Sequence, residues 1–493
     1  MSTEWVYASA QQLLKALQQG VITSRGLLEG LQARHEQFHG RLNAVVATDF
    51  NAAFERADAA DLARQQGESW GPLHGLPMTV KDTYEVVGMP CTAGASALAK
   101  YEPKKHAFAV DKLLGAGAIV FGKTNVPRYA SDIQSYNAVY GTTNNPWDPA
   151  RTPGGSSGGS AAALAAGLTP VELGSDIAGS IRTPAHFCGV YGHKPTYGTI
   201  SMRGHVPGPP GTLQEPALAC AGPLARSAED LTLLLDVLVG PGPGQGPYWS
   251  LDLPAATQER LSDFKILWWM DDPECPIDEG QASVYRDLQS HLRQQGVTVT
   301  IGSPAGLALK DIVPTYLSML GSVTGAGLPA RQKRMTRLLG EVLKRGGSRM
   351  RNTAHGERLL LGMTQRYSDW LGDNERRLHM QTRVAQAFEQ FDLILMPVAP
   401  VPAFEHMQDV PIGRRRIQVN GEQRPYIELF AWCAMATLLD LPATSLPVGQ
   451  TAAGLPVNVQ VVGAAYQDKT ALRFAALVEQ ALGGFRAPPG YPA

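Results

Sequence analysis

The sequence predicts an α/β layered protein built around a sheet, and three observations carry that reading. Strand-like runs alternate with helical segments along most of the 493 residues, the pattern of a layered sheet with helices packed on it. The composition, 44% hydrophobic and 18% charged, is that of a globular chain with a large buried core. Its 52 glycines and 36 prolines place much of the backbone in shaped loops. Length alone allows two or three domains.

Taken in order, residues 8–66 read as helices, because Leu13, Leu14 and Leu17, then Leu27, Leu28 and Leu31, recur at helical spacing. Ser24 is the expected N-cap of the second stretch. Residues 77–80 and 118–121 read as strands. The alanine-rich run 160–166 favours helix, and 170–173 favours strand. The Gly/Pro-rich segment 241–247 reads as a connector, and 264–269 as a fresh strand. Residues 305–390 are helix-rich, and 331–351 carry eight Lys/Arg against one Glu, read as solvated helix faces. Strands return at 393–396 and 456–462. There is no internal repeat and no long low-complexity tract.

The formal net charge of −1 gives no electrostatic reason to expect nucleic acid or an anionic membrane surface. The five cysteines, Cys91, Cys188, Cys220, Cys275 and Cys433, are odd in number and contain no CxxC. That argues for a reducing compartment rather than a disulfide framework. The N-terminal segment lacks a basic stretch followed by an apolar one, so no signal peptide is expected. No run of 18 uncharged apolar residues occurs. A cytoplasmic location is the expectation.

Three motif matches fail on physical grounds. His35-Glu-Gln-Phe-His39 fits the HExxH zinc pattern, but Gly40 is expected to end its helix, Arg34 and Arg41 crowd it with charge, and no third ligand suggests itself. Gly117-Ala-Ile-Val-Phe-Gly-Lys123-Thr124 fits a Walker A loop, yet its middle residues form the predicted strand, so their N–H groups belong to the sheet ladder. Gly154-Gly-Ser156-Ser-Gly158 fits the nucleophile elbow of α/β-hydrolases, which must follow a buried strand. Asp148-Pro-Ala-Arg-Thr-Pro153 is no such strand.

Three further features carry chemistry together. Gly75-Leu-Pro-Met-Thr-Val-Lys81-Asp82 ends an apolar segment on a lysine. Gly154-Gly-Ser-Ser-Gly-Gly-Ser160 leads into the alanine-rich helix. Gly174-Ser-Asp-Ile-Ala-Gly-Ser180-Ile-Arg182 is a strand end turning toward a helix. Singly, these features read as a surface ion pair, a linker and a turn held by Asp176 and Arg182. In this order they are far more specific.

The stretch from about 70 to 200 resembles the amidase signature family, with Gly189-Val-Tyr-Gly-His-Lys194-Pro-Thr196 continuing the match. Weaker similarity runs through Leu455-Pro-Val-Asn-Val-Gln-Val-Val-Gly463. The resemblance implies an amidase-signature fold: a large central mixed β-sheet flanked by helices on both faces. It implies a single domain over 1–493, with a signature core at about 70–230, a variable helix-rich region at about 240–430, and a return to the sheet at 431–485. It also implies Lys81 as base, Ser156 as a bridging serine preceded by a cis peptide bond, and Ser180 as nucleophile. By the same resemblance Tyr129, Ala130 and Ser131 line the pocket. Ser157, Asp176 and Arg182 are expected to support the site. Ala178 departs from the glycine of many members; its methyl narrows the site and leaves its N–H unchanged.

These residue types suit acyl transfer. A serine hydroxyl needs a base to take its proton, and lysine serves only when neutral, against a free pKa of about 10.4. Burial lowers that value; a shift to about 8 corresponds to about 3 kcal/mol. Ser156 then passes the proton from Ser180 to Lys81. Backbone N–H groups of Ile177, Ala178, Gly179 and Ser180 are the expected oxyanion donors, each commonly worth about 3–4 kcal/mol. If Ser180 opens a helix, the helix N-terminus adds to them. The scheme requires no metal or cofactor.

Amides are the implied substrates, with carbamates (urethanes) and esters as relatives through the same acyl intermediate. The preferred expectation is a stand-alone hydrolase of small molecules, monomer or homodimer, with no nucleic-acid or membrane partner. The alternative is a glutamine-hydrolysing subunit of an amidotransferase complex. An α/β-hydrolase esterase using Ser156 ranks below both.

Overall fold

The computed structural model describes residues 3–206, 208–346 and 354–493. Among them eleven strands form one mixed sheet. In chain order these are β1 (Val45–Thr48), β2 (Pro77–Lys81), β3 (Ile119–Thr124), β4 (Val171–Asp176), β5 (Tyr191–Lys194) and β6 (Cys220–Ala225). They continue with β7 (Lys265–Trp268), β8 (Thr298–Ile301), β9 (Leu393–Pro397), β10 (Ala443–Gln450) and β11 (Pro456–Gly463). The spatial order is β1-β3-β2-β4-β6-β5-β10-β11-β9-β7-β8. Strands β3, β2 and β4 run parallel to one another, as do β9, β7 and β8. The middle of the sheet is antiparallel. Every residue of β2, β3 and β4 is buried, as expected where helices cover both faces of a sheet.

Helix Gly158–Ala165 is buried throughout. Its alanines have the highest helix propensity and let it pass behind β2 and β4 without bulk. Helices Ala10–Gln18, Ser24–Leu42 and Phe50–Gln65 fall where the leucine periodicity predicts them. The second is capped by Thr23, whose hydroxyl accepts from the Gly26 N–H at 3.0 Å, so Ser24 is its first residue rather than its cap. That helix also runs through Gly40 to Leu42 and ends on left-handed Asn43. His35 and His39 therefore share a helix face, with ring centroids 4.7 Å apart. Arg34 turns inward, donating to the carbonyls of Ala166 (2.7 Å) and Pro492 (2.8 Å) rather than crowding the histidines.

Segment 240–430 is helix-rich, but it also supplies β7, β8 and β9. Helix Ala330–Arg345 turns its basic residues to solvent and also exposes Met335, Leu338, Leu339 and Val342. The remainder of the basic 331–351 stretch, residues 347–351, lies outside the described residues. Among the described residues no helix is long and apolar enough to cross a membrane.

Candidate active site

Strands β2 and β4 are parallel neighbours, so their carboxyl ends open on the same side, where ligands bind in open α/β sheets. Lys81 is the last residue of β2, and Ser175 and Asp176 end β4. The segment 154–157 crosses in front of them, and the 177–181 turn leads from β4 into helix Arg182–Cys188. Four short pieces of chain thus converge on one point.

Lys81 is fully buried, and its Nζ donates to Ser156 Oγ at 2.7 Å, Ser175 Oγ at 2.9 Å and the Ser175 carbonyl at 3.4 Å. Burial brings its pKa down to about 7, against the opposing pull of the Asp176 and Glu172 carboxylates. This is the range in which an amine can act as a base near neutrality. The Gly155–Ser156 peptide bond is cis. A Cβ at position 155 would lie 2.6 Å from the Asp132 carbonyl oxygen, so only glycine fits beside the 128–134 loop. No strand leads directly into Ser156, with only an isolated bridge at Arg151 between residue 143 and it, so the elbow geometry is absent.

Ser180 is 6% exposed, and its hydroxyl makes no hydrogen bond among the described residues. The link between the two serines is through the backbone, where the Ser157 N–H donates to the Ser180 carbonyl at 3.1 Å. The first step of the expected relay, Lys81 to Ser156, is therefore closed, and the second, Ser156 to Ser180, is open. Catalytic hydrogen bonds commonly tighten only in the substrate complex. Ser180 does not open a helix: helix Arg182–Cys188 begins two residues later.

The turn carrying Ser180 is braced by a buried pair. Arg182 Nη2 and Nε lie 2.9 and 3.0 Å from the two Asp176 oxygens, with both side chains sealed from solvent. Burial pushes the Asp176 carboxyl up, but the Arg182 charge and surrounding hydrogen bonds outweigh it and bring it to about 2. Arg182 also donates to the Cys433 carbonyl, Gln460 Oε1 and Thr437 Oγ1. Asp176 accepts from the N–H groups of Gly179 (2.8 Å) and Ile181 (3.2 Å). This changes the expected oxyanion set. The Gly179 N–H is occupied, whereas those of Ile177, Ala178 and Ser180 have no protein acceptor among the described residues. Gly179 has φ +86°, and a Cβ there would lie 2.8 Å from Cys433 Sγ.

Of the expected pocket residues, Tyr129 and Ala130 are half-buried with positive φ, and Tyr129 packs against Cys91, Ala93 and Val206. Ser131 is exposed and its hydroxyl closes its own turn on the Arg128 carbonyl. Tyr316, on helix Leu309–Gly325, donates to the Ile177 carbonyl at 3.4 Å. Segment 240–430 therefore packs directly on the Ser180 turn. The same helix borders, through Val313, a recess that Glu274, His355, Ile427, Glu428 and Ala431 also line.

Sequence reasoning missed three residues here. Ser175 sits inside a motif quoted for its neighbours, but nothing local marks its hydroxyl, because its partner Lys81 lies 94 residues away in sequence. Glu172 is buried behind Lys81, accepts from the Thr79 hydroxyl at 2.7 Å, and burial raises its pKa to about 7. His205 reaches Ser175 from 30 residues away and leaves no local signal.

A family model described as Amidase matches residues 26–472. The glutamyl-tRNA(Gln) amidotransferase A subunit of Chloroflexus aurantiacus is 34% identical over 475 residues, 93% of each chain. Its counterpart in Deinococcus radiodurans is 34% identical over 96% of this chain and 97% of its own. Among solved structures, a bacterial aryl acylamidase of the amidase signature family matches with a TM-score of 0.80 at 25% identity, covering 96% of both chains. These relatives overturn the preference for a stand-alone hydrolase whose partners are small molecules alone. Proteins named as subunits of a tRNA amidotransferase match nearly end to end, and the near-neutral net charge is no guide against such partners.

Proposed function

The chain belongs to the amidase family and acts on carbon–nitrogen bonds, and from that premise we propose that it is the glutamine-hydrolysing subunit of an amidotransferase complex. The observation that carries this reading is the 34% identity to amidotransferase A subunits over more than nine-tenths of both chains. Its partners are then further protein subunits and a charged tRNA, and its place is the cytoplasm. The whole chain, 1–493, works as one unit, which the contribution of every segment to one sheet supports.

In this reading Lys81, Ser156 and Ser180 form the catalytic set. Neutral Lys81 takes the Ser156 proton as Ser156 takes that of Ser180, and Ser180 Oγ attacks the side-chain amide carbon. The N–H groups of Ile177, Ala178 and Ser180 hold the developing oxyanion. The proton returns through Ser156 to the amide nitrogen, the C–N bond breaks, and ammonia leaves. Water then cleaves the γ-glutamyl ester on Ser180. Carbamates and esters would enter through the same acyl chemistry as side substrates.

The test is ammonium release from glutamine, set against an anilide, a carbamate and an ester. Glutamine turned over with the highest kcat/KM supports the reading. Turnover of the other three with none of glutamine overturns it.

A further inference from the structure

Ser175 Oγ lies 2.9 Å from Lys81 Nζ and 2.9 Å from His205 Nε2. One hydroxyl between two nitrogens has one hydrogen to give, so its direction depends on which nitrogen accepts. A neutral lysine has two N–H hydrogens and one lone pair, and a neutral imidazole has one acceptor nitrogen. For Lys81 to take a proton from Ser156, its lone pair must face Ser156. A Ser175 hydrogen turned toward Lys81 would occupy that lone pair instead.

We propose that His205 is a positioning residue that sets the direction of the proton at Lys81. Its Nε2 accepts the Ser175 hydrogen, Ser175 Oγ accepts an N–H from Lys81, and the Lys81 lone pair is left to Ser156. This rests on Lys81 being the base, and goes beyond it by assigning the group that keeps the base correctly turned.

The surroundings hold the imidazole to this task. Residues 204–206 are stitched to the segment after β2: Glu85 N–H donates to the Gly204 carbonyl at 3.0 Å and Val206 N–H to the Thr83 carbonyl at 2.7 Å. The His205 ring meets the Tyr84 ring edge-on at 4.9 Å, and Tyr84 OH is anchored on the Gly174 carbonyl at 2.6 Å. The charged groups facing it are Lys81 and Lys123, the latter 3.4 Å from the Asp82 carboxylate. His205 is half-buried; loss of water around its ring first, then the Lys81 and Lys123 amines when they are protonated, hold the imidazole well below its usual pKa. It therefore stays neutral and able to accept. An imidazolium would donate to Ser175 and drive its hydrogen onto Lys81.

The test is the pH dependence of Ser180 phosphonylation by a fluorophosphonate, which is independent of the natural substrate. Labelling of wild-type protein at Ser180, lost in Lys81→Met, establishes the base; its absence overturns the base assignment and this inference together. With the base established, His205→Leu should lower the plateau rate about tenfold and move the acid limb to lower pH, since a Ser175 hydrogen turned onto the amine favours its neutral form. His205→Gln, whose amide oxygen can stand near Nε2, should restore the rate and the limb, while the shorter His205→Asn should not. In a Ser175→Ala background, His205→Leu should add no further loss. A plateau loss without movement of the limb, or equal behaviour of the Gln, Asn and Leu variants, would overturn the role. The Gln and Asn comparison holds if the Leu variant does not fold.

Discussion

At the scale of single residues, the account turns on a lysine whose charge is removed by burial. Only the uncharged amine can accept a proton, and its pKa lies at about 7. Activity should therefore rise with pH through about 7 and level off above it. A kcat/KM profile whose acid limb sits below pH 5 would instead point to a carboxylate. Ser180→Ala should abolish turnover with the unfolding midpoint unchanged, because a nearly buried hydroxyl with no hydrogen bond among the described residues contributes little to the fold. Glu172 titrates in the opposite sense. Its folded pKa of about 7 stands above the ordinary 4.5, so the stability it contributes is full below pH 4.5 and is lost as pH rises through 7. Glu172→Gln should flatten the stability profile between pH 4.5 and 7, as urea midpoints at successive pH values would record. Lys81, Ser156 and Ser180 could be singled out in the sequence because an apolar run ends on the lysine and glycines surround the two serines; the structure joins Lys81 to Ser156 and, among the described residues, shows no side-chain hydrogen bond from Ser156 to Ser180. Ser175 and His205 could not be singled out, since their meaning comes from a contact across 30 residues that no periodicity records.

At the scale of elements, the Ser180 turn is shaped by the Asp176–Arg182 pair rather than by a helix terminus. Removing one partner of a buried ion pair leaves the other charge uncompensated, at a cost of about 3–5 kcal/mol. Arg182→Ala should therefore lower stability by that order in urea unfolding and sharply slow acylation, because Asp176 orients the Gly179 and Ile181 amides. The folded Asp176 pKa of about 2 lies below its ordinary 3.8, so the pair's contribution is present above pH 4 and fades as pH falls toward 2. Wild-type stability in near-neutral solution that matches the Arg182→Ala variant would refute the brace. Helices and most strands follow the apolar periodicity. Strand β6, Cys220-Ala-Gly-Pro-Leu-Ala225, was unreadable because glycine and proline argue against a central strand; it exists because β4 and β5 enclose it. Helix Ser24–Leu42 passes Gly40 because one glycine costs only about 1 kcal/mol.

At the scale of the whole molecule, eleven strands drawn from every part of the chain tie the variable segment to the site. Helix Leu309–Gly325 reaches the Ser180 turn through Tyr316, so Tyr316→Phe should alter KM for the acyl donor more than it alters stability. The fold class was legible from the alternation of elements. Likeness to subunits of an assembly was not, because a partner surface leaves no pattern in composition, and the relatives corrected what the net charge suggested. The most direct test of the central claim is peptide mapping of the fluorophosphonate-treated protein. The account predicts one adduct on Ser180, formed with an acid limb near pH 7 and absent from Lys81→Met. An adduct on Ser156, or undiminished labelling of Lys81→Met, would contradict it.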